Sequence, residues 1–285
     1  MSIPLIRESE ATDERAREAF RDIKSALRVP IVNLIFQAWA AYPKFLDVTW
    51  RRLRPSVLTI EFAALADSIN KKVREGTESW PISDHAAQLR ARAVNESDIA
   101  RMREIVDLFT EVNPKLAILA TAVDIALSGL SAGGVGTKGP QRDEERERPK
   151  EFRGVRFTLV EERDALPRVR SIYEDMKATL GLPFIETEYR AMASYPDWLE
   201  VWWKDGKPRA GDVRYKALGD DLAASAAQAA RTLPHRLFLS NDLLESCALD
   251  DAKRAELRRI NAMFTRLLPG LIMNLEVARR GLGTS

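Results

Sequence analysis

"LGLPFIETEYRAMASYPDWL", residues 180–199, repeats a pattern already written at residues 27–46, "LRVPIVNLIFQAWAAYPKFL". The two align without gaps at an offset of 153. They share Leu27/Leu180, Pro30/Pro183, Ala38/Ala191, Ala40/Ala193, Tyr42/Tyr195, Pro43/Pro196 and Leu46/Leu199. Upstream, "FRDIKSAL" lies on "YEDMKATL"; downstream, "DVTWRRLRP" lies on "EVWWKDGKP" and pairs Trp50 with Trp203. A second block aligns at an offset of 155, "NESDIARMREIVDLFTEVNPKLAI" on "DDAKRAELRRINAMFTRLLPGLIM", pairing Phe109 with Phe264 and Pro114 with Pro269. Two blocks in the same order at nearly one offset indicate a duplicated unit. Its period is far longer than that of a solenoid, so the expectation is an intramolecular pseudo-dimer. The repeats run over 10–127 and 160–281. Superposing 13–125 on 166–280 should bring Trp50 onto Trp203 and Pro114 onto Pro269.

Each repeat has a helical period. Apolar residues recur at three- and four-residue steps through Ile23 and Leu27, Val94 to Ile105, and Leu243 to Leu249. Asn95 and Asp250 precede such runs as N-caps, and Pro43 and Pro196 suit a first helical turn. Strand patterns are scarce; "GVRFTLV" is the best and stands alone. An all-α fold of about a dozen helices follows. Between the repeats, residues 128–159 include "SGLSAGGVGTKGPQRDEERERPKEFRG", whose glycines and charges read as an exposed connector, Val135 and Arg148 included.

Composition narrows the function. Lys and Arg number 44 against 42 acids, a net charge of +2, which gives no general case for nucleic acid or an acidic membrane. The single cysteine, Cys247, excludes an intramolecular disulfide and a CxxC redox or zinc site. The first residues turn acidic too soon for a signal peptide, and "LAILATAVDIALSGL" is too short for a span and carries Asp124. The expectation is a soluble, cytoplasmic protein. His85 and His235 lack identifiable partners for a triad or metal site, and "SAGGVGTKG" lacks the strand-to-helix context of a phosphate loop.

A duplicated fold supplies its own control, because residues alike in both copies serve the fold. Ile31, Ile35, Ala38 and Tyr42 form one helical stripe, and their counterparts are Phe184, Glu188, Ala191 and Tyr195. Glu188 therefore replaces an isoleucine on an apolar stripe. It is either a functional carboxylate or a half-exposed acid paired with Arg190 or another base. Glu186 faces Asn33, polar in both copies, and reads as solvated. Asn113, opposite Leu268, is either functional or an N-cap before Pro114. Asn274, opposite Leu119, reads as a buried hydrogen-bonding group.

At these residues the chain resembles the group I 2-haloacid dehalogenases of the DehI type, over most of its length and including the repeat. The carrying segments are "LRVPIVNLIFQAWAAYPKFLDVTWRR", "EVNPKLAILATAV" and "TEYRAMASYPDWL". The resemblance implies an all-α pseudo-dimer with its active site between the halves, no metal and no organic cofactor. It implies a carboxylate-activated water that displaces halide from the α-carbon of a small 2-haloacid without a covalent enzyme ester. On this pattern the catalytic acid falls on Glu188, where the family has aspartate, and the water-orienting asparagine on Asn113. Thr187 takes the place of a serine, and Ile31, Leu34, Phe184 and Phe264 fall on the pocket wall, where Ile31 and Leu34 replace large rings and Phe264 a tyrosine. A small carboxylic acid is the implied partner, without nucleic acid or membrane, and a homodimer is compatible. The competing reading is a non-catalytic small-molecule binder, or a hydrolase of another substrate on the same scaffold.

Overall fold

The computed structural model describes residues 4–134 and 154–283. Among these the regular structure is helical, apart from one isolated bridge. Its α-helices are α1 (Glu14–Leu27), α2 (Leu34–Trp39), α3 (Pro43–Val57), α4 (Ile60–Thr77), α5 (His85–Ala91) and α6 (Glu96–Leu127), then α7 (Pro167–Leu180), α8 (Thr187–Met192), α9 (Pro196–Ala210), α10 (Val213–Arg231), α11 (Asn241–Ser246) and α12 (Asp251–Leu282). The lone strand-like stretch "GVRFTLV" forms no strand, in keeping with the all-α expectation. Residues 155–160 run without regular structure, because a lone strand has no neighbour to satisfy its backbone; Val160 N–H donates to the Arg190 carbonyl at 3.1 Å. No described helix is long and apolar enough to cross a membrane.

Two compact units divide the chain. One comprises Met1–Ile69, Val112–Gly154 and Ala223–Leu268; the other comprises Asn70–Glu111, Val155–Leu222 and Pro269–Ser285. Helices α4, α6, α10 and α12 contribute residues to both.

In the first unit α1 packs on α3, and α2 packs on α3. Asp13 caps α1 by accepting from the Arg15 amide, and the helix buries Ala16, Ala19, Phe20, Ile23 and Leu27 along one stripe. Pro43 occupies the first turn of α3, as its sequence position predicts. The aromatic core is edge-on: Phe36 meets Trp39 at 5.4 Å and Trp50 at 5.9 Å. Trp50 Nε1 donates to Asp22 at 2.6 Å, so this buried indole has its partner. The connector is not wholly peripheral. Ala132 is fully buried and bridges Leu237, with N–H···O distances of 2.9 and 2.7 Å. Gly133 follows with φ +70°, where a Cβ would come within 2.7 Å of the His235 carbonyl and of Leu233. The expected exposure of Val135 and Arg148 concerns positions outside the described residues.

In the second unit α5, α7 and α8 each pack on α9. Pro196 starts α9, and Gly181 ends α7 in the left-handed region, φ +65°. Trp203 Nε1 donates to Asp175 at 2.7 Å. His85 is fully buried, its Nε2 2.9 Å from Asp205 Oδ2, and burial pushes its pKa down. Its ring lies where α12 has no side chain. A Cβ on Gly281 would stand 2.0 Å from His85 Nδ1. His85 thus serves packing around Asp205, whose carboxylate also accepts from the Ser83 amide and hydroxyl at 2.8 Å.

Candidate functional site

Helix α8 is six residues long, and every one of them is buried. Its start is set by Glu186, extended at φ −66° and ψ 159°, whose carbonyl accepts the Arg190 amide at 3.1 Å. Tyr195 and Pro196 then turn the chain into α9. So short a helix is marginal alone; its packing on α9 holds it. Tyr189 lies 5.3 Å from the Trp202 ring, and its hydroxyl accepts from Asn274 Nδ2 at 2.7 Å. Asn274 Oδ1 accepts from Tyr215 at 3.2 Å. The expected buried hydrogen bond of Asn274 is therefore present, and it anchors α8 through Tyr189. Burial raises the pKa of Tyr189 well above the phenol range, so both hydroxyls remain protonated hydrogen-bonding groups.

Glu188 is 4% exposed. This removes the half-exposed alternative. Arg190, the cation two residues on, donates to Glu161 Oε1 at 2.9 Å and to Thr187 Oγ1 at 3.3 Å. Glu186 is a correction to the sequence reading. It is 3% exposed, not solvated, and its counterpart Asn33 is 4% exposed. Both hold the N-cap position of a short buried helix, and neither side chain makes a capping hydrogen bond. Burial, and then the charge of Glu188, push the Glu186 carboxyl well above the usual range; Arg190 opposes them.

Asn113 is fully buried inside α6, which continues through Pro114. The N-cap alternative is thus overturned. A proline within a helix leaves the carbonyl four residues earlier without its amide donor. Here that carbonyl belongs to Thr110 and accepts from Asn70 Nδ2 at 3.2 Å, which lets the helix run on. Pro269 likewise lies inside α12. The predicted stripe through Ile31 and Tyr42 is interrupted: α2 holds only Leu34–Trp39, Ile31 precedes it, and Tyr42 caps α3.

Thr187 and Glu188 stand side by side on α8 in the second unit, with half-buried Phe184 just upstream. Asn113, Leu34, Phe264 and half-buried Ile31 belong to the first unit. Leu34 and Phe264 are 5% and 4% exposed. The sequence reading did not single out Tyr189 or Glu161; it named Arg190 only as a partner for Glu188, and Glu186 only as solvated. No group of three or more His, Cys, Asp or Glu suited to a metal occurs among the described residues. A cleft of about 610 Å³ in the second unit is lined by Trp80, Ser83, Lys204, Asp205, Arg209 and Arg214 among others, and by none of the candidate residues. Its cations are already engaged. Lys204 pairs with Glu200 at 3.1 Å, Arg214 with Asp212 at 2.6 Å, and Arg209 with the Asp205 and Pro81 carbonyls.

A family model described as halocarboxylic acid dehydrogenase DehI matches residues 30–185. An (R)-2-haloacid dehalogenase of Pseudomonas putida is 34% identical over 265 residues, covering 92% of this chain and 87% of that protein. An (R)-2-haloacid dehalogenase of Rhizobium sp. (strain NHG3) is 31% identical, covering 85% and 93%. A solved structure of a D-2-haloacid dehalogenase in complex with L-LA is similar at a TM-score of 0.91 and 32% identity, covering 99% of this chain and 96% of that one. The likeness extends through the helical frame and the segment ending just before α8, and on it the chain belongs to the DehI-type family of group I 2-haloacid dehalogenases.

Proposed function

We propose that this protein is a 2-haloacid dehalogenase in which Glu188 is the general base. The carrying observation is a carboxylate 4% exposed, at the position where the family resemblance puts the catalytic acid. Glu188 takes a proton from a water as that water attacks the α-carbon. The carbon–halogen bond breaks with its electron pair, and halide leaves. The products are a 2-hydroxy acid of inverted configuration, a halide ion and a proton that Glu188 returns to solvent. Asn113 orients the water. Thr187 stands beside the base, and Ile31, Leu34, Phe184 and Phe264 exclude bulk water, which strengthens each polar contact.

The duplicated architecture belongs to the same proposal. Helices α1, α3 and α6 recur in length as α7, α9 and α12, offset by 153, 153 and 155 residues. The Trp50–Asp22 bond has its counterpart in Trp203–Asp175. We read these as the two halves of a pseudo-dimer, of which one carries Glu188 and the other Ile35.

The deciding experiment measures halide release and product configuration with (R)- and (S)-2-chloro- and 2-bromoacids. Halide release with inversion is expected, with the (R) acids preferred as the names of the P. putida and Rhizobium relatives suggest. Saturable binding of these acids by the folded protein without halide release would favour the binder reading instead.

A further inference from the structure

We propose that Asn274 is a positioning residue for the reaction: with Tyr189 and Tyr215 it forms a hydrogen-bonded lock that fixes the rotation of α8 and so aims Glu188. This inference rests on Glu188 being the base and on the duplicated architecture. The lock lies wholly within the second unit. Tyr215 on α10 donates to Asn274 Oδ1 at 3.2 Å, and Asn274 Nδ2 donates to the Tyr189 hydroxyl at 2.7 Å. The Asn274 backbone carbonyl accepts Trp202 Nε1 at 3.2 Å, and the Trp202 ring lies 5.3 Å from that of Tyr189. Helices α9, α10 and α12 thus bear on one side chain of a six-residue helix, directly or through Asn274.

At the counterpart positions the fold does without these polar groups. Helix α4 corresponds to α10 at the offset of 153, with Ala64/Ala217, Leu65/Leu218 and Asp67/Asp220 identical. The counterparts of Tyr189, Tyr215 and Asn274 are Phe36, Phe62 and Leu119, which are 0%, 1% and 0% exposed. Three positions that are apolar and buried in the copy carrying Ile35 are therefore hydrogen-bonded in the copy carrying Glu188. Stability does not ask for this change, since apolar groups of similar shape can replace a buried bonded pair at little cost. What apolar groups do not supply is direction. Packing lets a ring slide on its neighbours, whereas a hydrogen bond fixes both distance and angle.

Direction matters at Glu188, the residue next to Tyr189. A turn of α8 about its axis that displaces the phenol carries the carboxylate with it. The residue after Tyr189 is tied only to irregular chain: the Arg190 carbonyl accepts the Val160 amide at 3.1 Å, and its guanidinium reaches Glu161 at 2.9 Å. Asn274 instead ties Tyr189 to α12, a helix of 32 residues. A catalytic group must be held within about 0.5 Å of its productive place, and misplacement by about 1 Å can cost roughly 10²-fold in rate.

The test writes the first copy's residues into the second: Tyr189→Phe, Tyr215→Phe and Asn274→Leu together, in the full-length protein. Hydrogen exchange gives a reading without substrate. The α8 amides of Arg190 and Ala193, bonded to the Glu186 and Tyr189 carbonyls, should exchange faster than in wild type, while those of α1 and α3 and the thermal melt stay unchanged. With (R)-2-chloropropionate, kcat should fall about tenfold while KM stays within about twofold, the signature of a misaimed base. If the triple variant does not fold, Tyr189→Phe alone should move the same readings in the same direction. Unchanged exchange in α8 would overturn the proposal. So would turnover within about threefold of wild type, or a loss of turnover that only follows the loss of folded protein. In a Glu188→Gln background the same three changes should cost little further turnover, because no carboxylate remains to be aimed; an equal loss in both backgrounds would also overturn the proposal. Normal turnover of Glu188→Gln by itself would instead remove the base reading, so the two failures are told apart.

Discussion

Glu188→Gln is expected to fold normally and to lose turnover by roughly 10²–10⁴-fold, the contribution of a general base. Glutamine keeps the shape and length of the side chain but cannot accept the proton that the attacking water must give up. The fold should tolerate the change because the substitution removes a charge that is costly at 4% exposure. Halide release at saturating 2-haloacid, alongside a thermal melt, checks both halves of this expectation. Normal turnover would reduce Glu188 to a buried acid without a catalytic part. Glu188→Asp is the instructive companion. It restores the family's acid and withdraws the carboxylate by about an ångström, a displacement that can shift rates by roughly 10²-fold in either direction of fit.

Trp202→Ala is expected to cost about 3–5 kcal/mol of stability. The indole is fully buried, lies 5.7 Å from Trp203 and 5.3 Å from Tyr189, and donates through Nε1 to the Asn274 carbonyl at 3.2 Å. Truncation leaves a void beneath α8. Because α8 is too short to hold its shape unaided, turnover should fall in the fraction that stays folded. Trp202→Phe fills much of the void and should recover part of both losses. Denaturant midpoints on the two variants measure this. A loss below about 1 kcal/mol in Trp202→Ala, the scale of an ordinary substitution, would mean that the aromatic stack does not support the site.

The helical class was legible because its signals are local. Asp98 N–H finds Asn95 Oδ1 at 2.8 Å and Lys253 N–H finds Asp250 Oδ1 at 2.9 Å, so these N-caps are where their side chains predicted them. Pro43 and Pro196 open helices for a similarly local reason. The reading failed where a distant residue alters a local rule. Asn113 looked like a cap because proline usually breaks a helix, but Asn70, forty residues earlier, satisfies the Thr110 carbonyl that Pro114 leaves without a donor. The reading of "GVRFTLV" did not fail: it stood alone as a strand pattern in a chain expected to be all-α, and it forms no strand. At the site, the replacement of Ile35 by Glu188 was visible as a polar intrusion on an apolar pattern. The burial of Glu186 was not, since matched polarity at two positions looks the same for an exposed pair as for a buried one. Arg190 and Glu161 meet across twenty-nine residues, and no spacing rule reaches that far.

The central claim is that Glu188 activates water and does not itself attack the substrate. A single turnover in ¹⁸O-water, with enzyme in excess over 2-haloacid, tests it most directly. Water attack predicts a 2-hydroxy acid whose new hydroxyl carries ¹⁸O in the first turnover, with no label entering the Glu188 carboxylate. An unlabelled hydroxyl, with ¹⁸O appearing in the side chain of Glu188, would mean that the carboxylate had formed an ester with the substrate and would contradict the account.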